Sequence, residues 1–155
     1  MLKQLLTLLI CVSFAAGCAP QGNDLQEHEH ASEVSFPANP MEGLPFSDAV
    51  RVGHTLYLSG SIGNLPGTLE LAEGGISGET RQAMDNIKTT LVKYGSSMEE
   101  IVKCTIMLDD IDEWGAMNEV YVSFFPTHKP ARSAFGADGL ALNARVEIEC
   151  IATVK

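Results

Sequence analysis

Arg145-Val146-Glu147-Ile148-Glu149-Cys150-Ile151-Ala152-Thr153-Val154 is the stretch that decides the fold. Val146, Ile148, Cys150, Ala152 and Val154 fall on one side of an extended chain and Glu147, Glu149, Ile151 and Thr153 on the other, because successive side chains of a strand point to opposite faces. The first set is a core face that needs a cover. The second carries two carboxylates beside Ile151, so it meets either solvent or another subunit.

Upstream, a strand begins near Ala131, and Val102, Cys104, Ile106 and Leu108 alternate with Lys103, Thr105 and Met107 as another. Between these two, Asp112 is placed to cap a helix carrying Met117, Tyr121, Phe124 and Phe125, which Pro126 stops. Ser77 is placed to cap an earlier helix, from about Gly78 to Tyr94, with Ala83, Ile87, Leu91 and Tyr94 as its apolar stripe and Gly95 as its end. Gly63 to Gly75 reads as a loop and not a phosphate cradle, because no Lys-Ser/Thr follows its glycines. Ala49 to Val52 and His54 to Ser59 form a hairpin about Gly53. The resulting β-β-α-β-α-β-β order predicts an α+β fold, a mixed sheet with two helices on one face.

The N-terminus has a different character. Lys3 precedes an apolar run from Leu5 to Phe14, closed by Ala15, Ala16 and Gly17. That is the pattern of a secretory signal, and the run is too short to span a bilayer. Ala-Ala-Gly-Cys then resembles the lipobox of bacterial lipoproteins, with Cys18 as the acylated residue. Several acyl chains on one cysteine give stable anchoring where one chain does not. The expected organisation is a signal peptide over 1–17, a lipid-attachment cysteine and flexible linker over 18–45, and one folded domain over 46–155. The linker is rich in Gln, Asn, Glu, His, Ser and Pro, a composition that does not bury a core. Its His28-Glu29-His30 lacks the further ligands that make a metal site, and none is expected. The protein is expected to be exported and membrane-anchored, facing the periplasm or the cell exterior.

Ten Lys and Arg against 20 Asp and Glu give a net charge of −10, and loss of Lys3 with the signal makes it about −11. The basic residues are scattered singly, which excludes nucleic acid as an expected partner. Cys104 and Cys150 both fall at the apolar phase of predicted strands, and that favours small buried hydrophobes over a disulfide or a thiol nucleophile.

Pro130-Ala131-Arg132-Ser133 and Arg145-Val146-Glu147-Ile148-Glu149 resemble two signature segments of the RidA (YjgF-type) reactive-intermediate deaminase family. Ala49 to Gly63, Thr80 to Lys88 and Met117-Asn118-Glu119-Val120-Tyr121 match further segments. The resemblance implies a chorismate-mutase-like homotrimer with ligand clefts between subunits, the polar face of the last strand being packed inside. It implies hydrolysis of small 2-imino acids or enamines to 2-oxo acids and ammonia, without metal or organic cofactor. Arg132 then matches the residue that binds the substrate carboxylate, a task suited to its planar fork. Glu147 matches the carboxylate that handles water and protons. Phe46, Ser59, Gly60 and Asn118 match positions that line the cleft.

Two positions depart from the family. Phe46 stands where many members have tyrosine, so a hydroxyl is missing, and Ala134 stands where some have cysteine. A second reading is a non-catalytic trimeric module that binds small carboxylates at the cell envelope. Glu147 favours the deaminase, whereas Phe46 and the export signal favour the module. Family members are also linked to RNA cleavage and chaperone-like action; the acidic balance argues against the first, and nothing in the sequence selects the second.

Overall fold

The computed structural model describes residues 33–37 and 43–155. The expected signal, Cys18 and His28-Glu29-His30 lie outside the described residues. Among the described residues, no helix is long and apolar enough to cross a membrane.

The elements follow in the order β1 (Val34–Ser35), β2 (Ala49–Val52), β3 (Thr55–Leu58), β4 (Ser61–Ile62), α1 (Gly75–Lys93), β5 (Ile101–Leu108), α2 (Trp114–Ser123), β6 (Ala131–Gly136) and β7 (Val146–Thr153). They form one mixed sheet ordered β1-β2-β3-β7-β5-β6, with β4 also paired to β7. Among the described residues only β5 and β6 run parallel, joined by the α2 crossover, as a parallel pair requires. The last strand of the chain is thus central and β6 is an edge. Val146, Ile148, Cys150 and Ala152 of β7 are buried together with Leu56, Ile106 and Leu108, and burying each large aliphatic contributes roughly 1.5–3 kcal/mol.

Helix α1 lies on this core through Ala83, Met84, Ile87 and Leu91. Its end is a Schellman turn: Gly95 at φ 77 donates to the Val92 carbonyl, and the Ser96 amide donates to Leu91 at 2.8 Å, a conformation that glycine adopts without Cβ strain. Buried Glu79 ties α1 to β7 by accepting from the Arg145 amide at 2.8 Å.

Five expectations need correction. Ser77 does not cap α1; the helix starts earlier, after Gly74, with no side-chain cap. Asp112 does not cap α2 either. Asp110 accepts from the Asp112 amide at 2.9 Å and caps a 3-10 turn over Ile111–Glu113, from which α2 continues at Trp114. Val102 is exposed and Ile101 takes the buried position, because β5 is irregular between Ile101 and Lys103 and one extra residue reverses the inward phase. Val34–Ser35, within the expected linker, pairs with Val52 and Arg51 as an edge strand, backbone pairing that needs no buried side chain.

Finally, Cys104 and Cys150 form a disulfide. They are Cα partners across the antiparallel β5·β7 pair, 4.1 Å apart. The apolar phase of each strand is as expected, but which strands become neighbours, and in what register, is decided by the tertiary fold.

Candidate active site

Strand parity sorts the candidate residues. Arg132 is the Cα partner of Cys104, whose side chain is buried in the helix-covered core. Neighbouring residues of paired strands share a face, so Arg132 emerges on the helix side of edge strand β6. Glu147 pairs with Met107, three residues on from Cys104, and belongs to the opposite, uncovered face. One subunit therefore places Arg132 and Glu147 on different sides of the same sheet.

On the helix side, Trp114, Asn118 and Tyr121 of α2 stand at i, i+4 and i+7 and so share a helix face. That face meets Arg132. Arg132 Nη1 donates to Asn118 Oδ1 at 2.7 Å. Its Cζ lies 4.9 Å from the Tyr121 ring centroid and 5.5 Å from that of Trp114, within cation–π range. Tyr121 packs in turn on Phe125 at 5.0 Å. The Tyr121 hydroxyl is buried without a partner among the described residues. Burial pushes its pKa up to about 12, opposed by the Arg132 charge. It is held as a neutral phenol.

On the open face, Glu147 pairs with Ile62 of β4 on one side and Met107 on the other, and Met107 pairs with Phe135 of β6. Glu149 follows on the same face, opposite Thr105. Loss of solvation raises the pKa of Glu147, and the Glu149 charge raises it further, so Glu147 holds its proton more tightly than an exposed glutamate. Gly60 borders it closely. A Cβ at Gly60 would lie 1.8 Å from Glu147 Oε1, so the carboxylate occupies the space a side chain would take.

Of the other candidates, Ser59 directly follows β3. The Ser59 hydroxyl donates to the Ser47 carbonyl at 2.7 Å, and the Ser59 amide donates to Asp48 at 3.0 Å. Ser59 thereby fastens the segment that carries Phe46 to the end of β3. Phe46 itself is 49% exposed. A shallow depression of about 160 Å³, lined by Tyr57, Lys103, Thr105, Glu149 and Ile151 among others, lies on the open face. It is smaller than the ~300 Å³ at which small-molecule clefts begin. No cluster of metal-ligating side chains exists among the described residues.

The sequence reading missed the grip on Arg132. The sequence points to Tyr121 as a core residue of a helical stripe and as the end of a matching segment, and to Trp114 not at all. The spacing of Trp114 and Tyr121 around Asn118 was the available signal, but the strand they would meet could not be read from it.

The sequence profile described as endoribonuclease L-PSP matches residues 37–154. A 2-iminobutanoate/2-iminopropanoate deaminase of Dermatophagoides farinae is 40% identical over 122 residues, covering 79% of this chain and 95% of that one. The chloroplastic Reactive Intermediate Deaminase A of Arabidopsis thaliana is 37% identical over 121 residues, covering 78% of this chain and 65% of the relative. The crystal structure of RidA from the Antarctic bacterium Psychrobacter sp. PAMC 21119 superposes with a TM-score of 0.68 at 35% identity, covering 77% of this chain and 94% of that one. With its mixed sheet, its two helices and these relatives in agreement, the chain belongs to the endoribonuclease L-PSP family, the family of the RidA/YjgF proteins.

Proposed function

We propose that this protein hydrolyses small 2-imino acids, or their enamine tautomers, to 2-oxo acids and ammonia, and that it works as an exported, lipid-anchored homotrimer. The observation that carries this reading is the split between Arg132 on one face of the sheet and Glu147, with its raised pKa, on the other. Neither half suffices alone. When the edge of one subunit is set against the open face of the next, the arginine fork faces a carboxylate whose basicity desolvation has raised, and a cleft forms between them.

In this site the free N–H donors of Arg132 pair with the substrate carboxylate and place the imine carbon over Glu147 of the neighbouring subunit. Ionised Glu147 takes a proton from water as the water oxygen bonds to that carbon and the C=N electron pair moves to nitrogen. Protonated Glu147 then returns that proton to nitrogen, giving the carbinolamine; the carboxylate next relays the carbinol hydroxyl proton to nitrogen as the C=O bond forms and the C–N bond breaks, so that ammonia leaves and the 2-oxo acid remains. Its raised pKa suits both steps. Gly60 leaves room for the carboxylate, Asn118 holds Arg132, Ser59 fixes the segment bearing Phe46, and the Phe46 ring walls the cleft. The chemistry needs no cofactor.

Export rests on the Lys3 and Leu5-to-Phe14 signal and on Cys18. The Cys104–Cys150 bond fits that reading, since disulfides persist in oxidising compartments. The test is ammonia release from 2-iminopropanoate and 2-iminobutanoate, generated in place by an amino-acid oxidase, with protein from Ala19 onward. Acceleration is expected, with loss in Arg132→Ala. Phe46, lacking a hydroxyl, favours the second reading, a carboxylate-binding module, and a trimer that binds 2-oxobutanoate without turnover would select it.

A further inference from the structure

An arginine on an edge strand ordinarily extends into water and samples many rotamers. Arg132 instead has an aromatic ring 4.9 Å from its Cζ, a second at 5.5 Å and an amide oxygen at 2.7 Å from Nη1. The three groups come from one helix face, and each has a separate role. Asn118 sets the in-plane orientation by taking one N–H. Tyr121, only 4% exposed, is part of the core and forms a fixed floor. Trp114 is the first residue of α2 and is 41% exposed. It holds the guanidinium with part of its surface and leaves the rest of the indole bare beside it.

A carboxylate paired with Arg132 brings its own α-carbon, and the side chain on that carbon, within a few ångströms of the guanidinium. The bare indole lies at that range. We infer that Trp114 is a positioning and specificity residue of this site: it orients the Arg132 fork, and its exposed surface forms the wall on which the substrate side chain rests. The preferred substrates are then 2-imino acids with bulky apolar side chains, such as the branched ones. Binding of the substrate carboxylate by Arg132, proposed above, is the premise.

Trp114 is the single tryptophan in the chain, so its fluorescence reports on this site alone. Titration with the stable products 2-oxobutanoate and 4-methyl-2-oxopentanoate, with binding measured in parallel by calorimetry, should change Trp114 emission more for the branched acid. The response should vanish in Arg132→Ala. No calorimetric binding of either acid would overturn the premise; binding with unchanged emission would overturn the inference alone. Turnover supplies the second arm. Trp114→Ala should raise KM for the imine of leucine about tenfold more than KM for 2-iminopropanoate, the scale on which an apolar pocket discriminates, with kcat little affected. Trp114→Phe should restore most of the discrimination. An equal loss on both substrates, or none, would remove Trp114 from the specificity role.

Discussion

The helix-covered face of the sheet buries Leu56, Ile106, Leu108 and Ile148 completely, while the opposite face leaves Tyr57 47% and Phe135 48% exposed beside Glu147 and Glu149. Both faces belong to the same strands, so the difference comes from parity and from the two helices. The covered face is a finished core made by one chain. Large apolar side chains among carboxylates on the other are what a surface awaiting a partner presents. The candidate chemistry follows the same division. Arg132 is gripped by the helix that completes the first face, and Glu147 stands on the second, where desolvation has already begun to raise its pKa.

The two faces differ most in the charged groups they carry, Glu147 and Arg132. Glu147→Gln should lower kcat by about 10²–10⁴-fold, the usual contribution of a positioned acid–base group, while its size in solution stays that of the wild type. A small kcat effect would mean that the open-face carboxylate is no part of the chemistry. Arg132→Ala should act on the other half, reducing kcat/KM at least about 30-fold, as loss of a charge-paired arginine does.

Effects on stability are smaller, and the largest of them belongs to the finished face. The Cys104–Cys150 bond closes a loop with a sequence separation of 46, which by loop entropy contributes about 2–4 kcal/mol. Denaturant unfolding with and without reductant should show that loss, and a Cys104→Ala/Cys150→Ala double variant should no longer respond to reductant. Gly60→Ala drives a methyl into the place of Glu147 Oε1. The cost expected of such overpacking is about 1–3 kcal/mol, accompanied by a drop in kcat as the carboxylate is displaced.

The smallest effect is one of pH. Folding raises the pKa of Glu147, so the folded state binds the proton more tightly than the unfolded chain. This contribution favours folding below the ordinary glutamate pKa and is lost as pH rises through the raised value. Glu147→Gln should therefore unfold at higher temperature than the wild type near neutral pH, and the difference should vanish below about pH 4. A difference that instead grew on acidification would mean the carboxylate is stabilised in its charged form.

Much of this was legible because period and punctuation are local. The alternation of β7 separated Glu147 from the core before any partner strand was known, and Gly95 marked the end of α1. The residues that failed are those whose state depends on a distant partner. Val102 had the right period but lost its phase at the irregularity in β5. Cys104 and Cys150 had the right faces, and only the β5·β7 register made them a bond. Trp114 and Tyr121 had a common helix face, and only the edge position of β6 brought Arg132 to it.

In the proposed homotrimer, one active site takes its arginine and its glutamate from different copies of the chain. Inactive Arg132→Ala and Glu147→Gln proteins, unfolded together and refolded as mixed trimers, test it directly. With one interface in each mixed trimer regaining both groups, random reassembly should restore about a quarter of wild-type activity, while each variant refolded alone stays inactive. No recovery from well-mixed trimers would contradict the shared site.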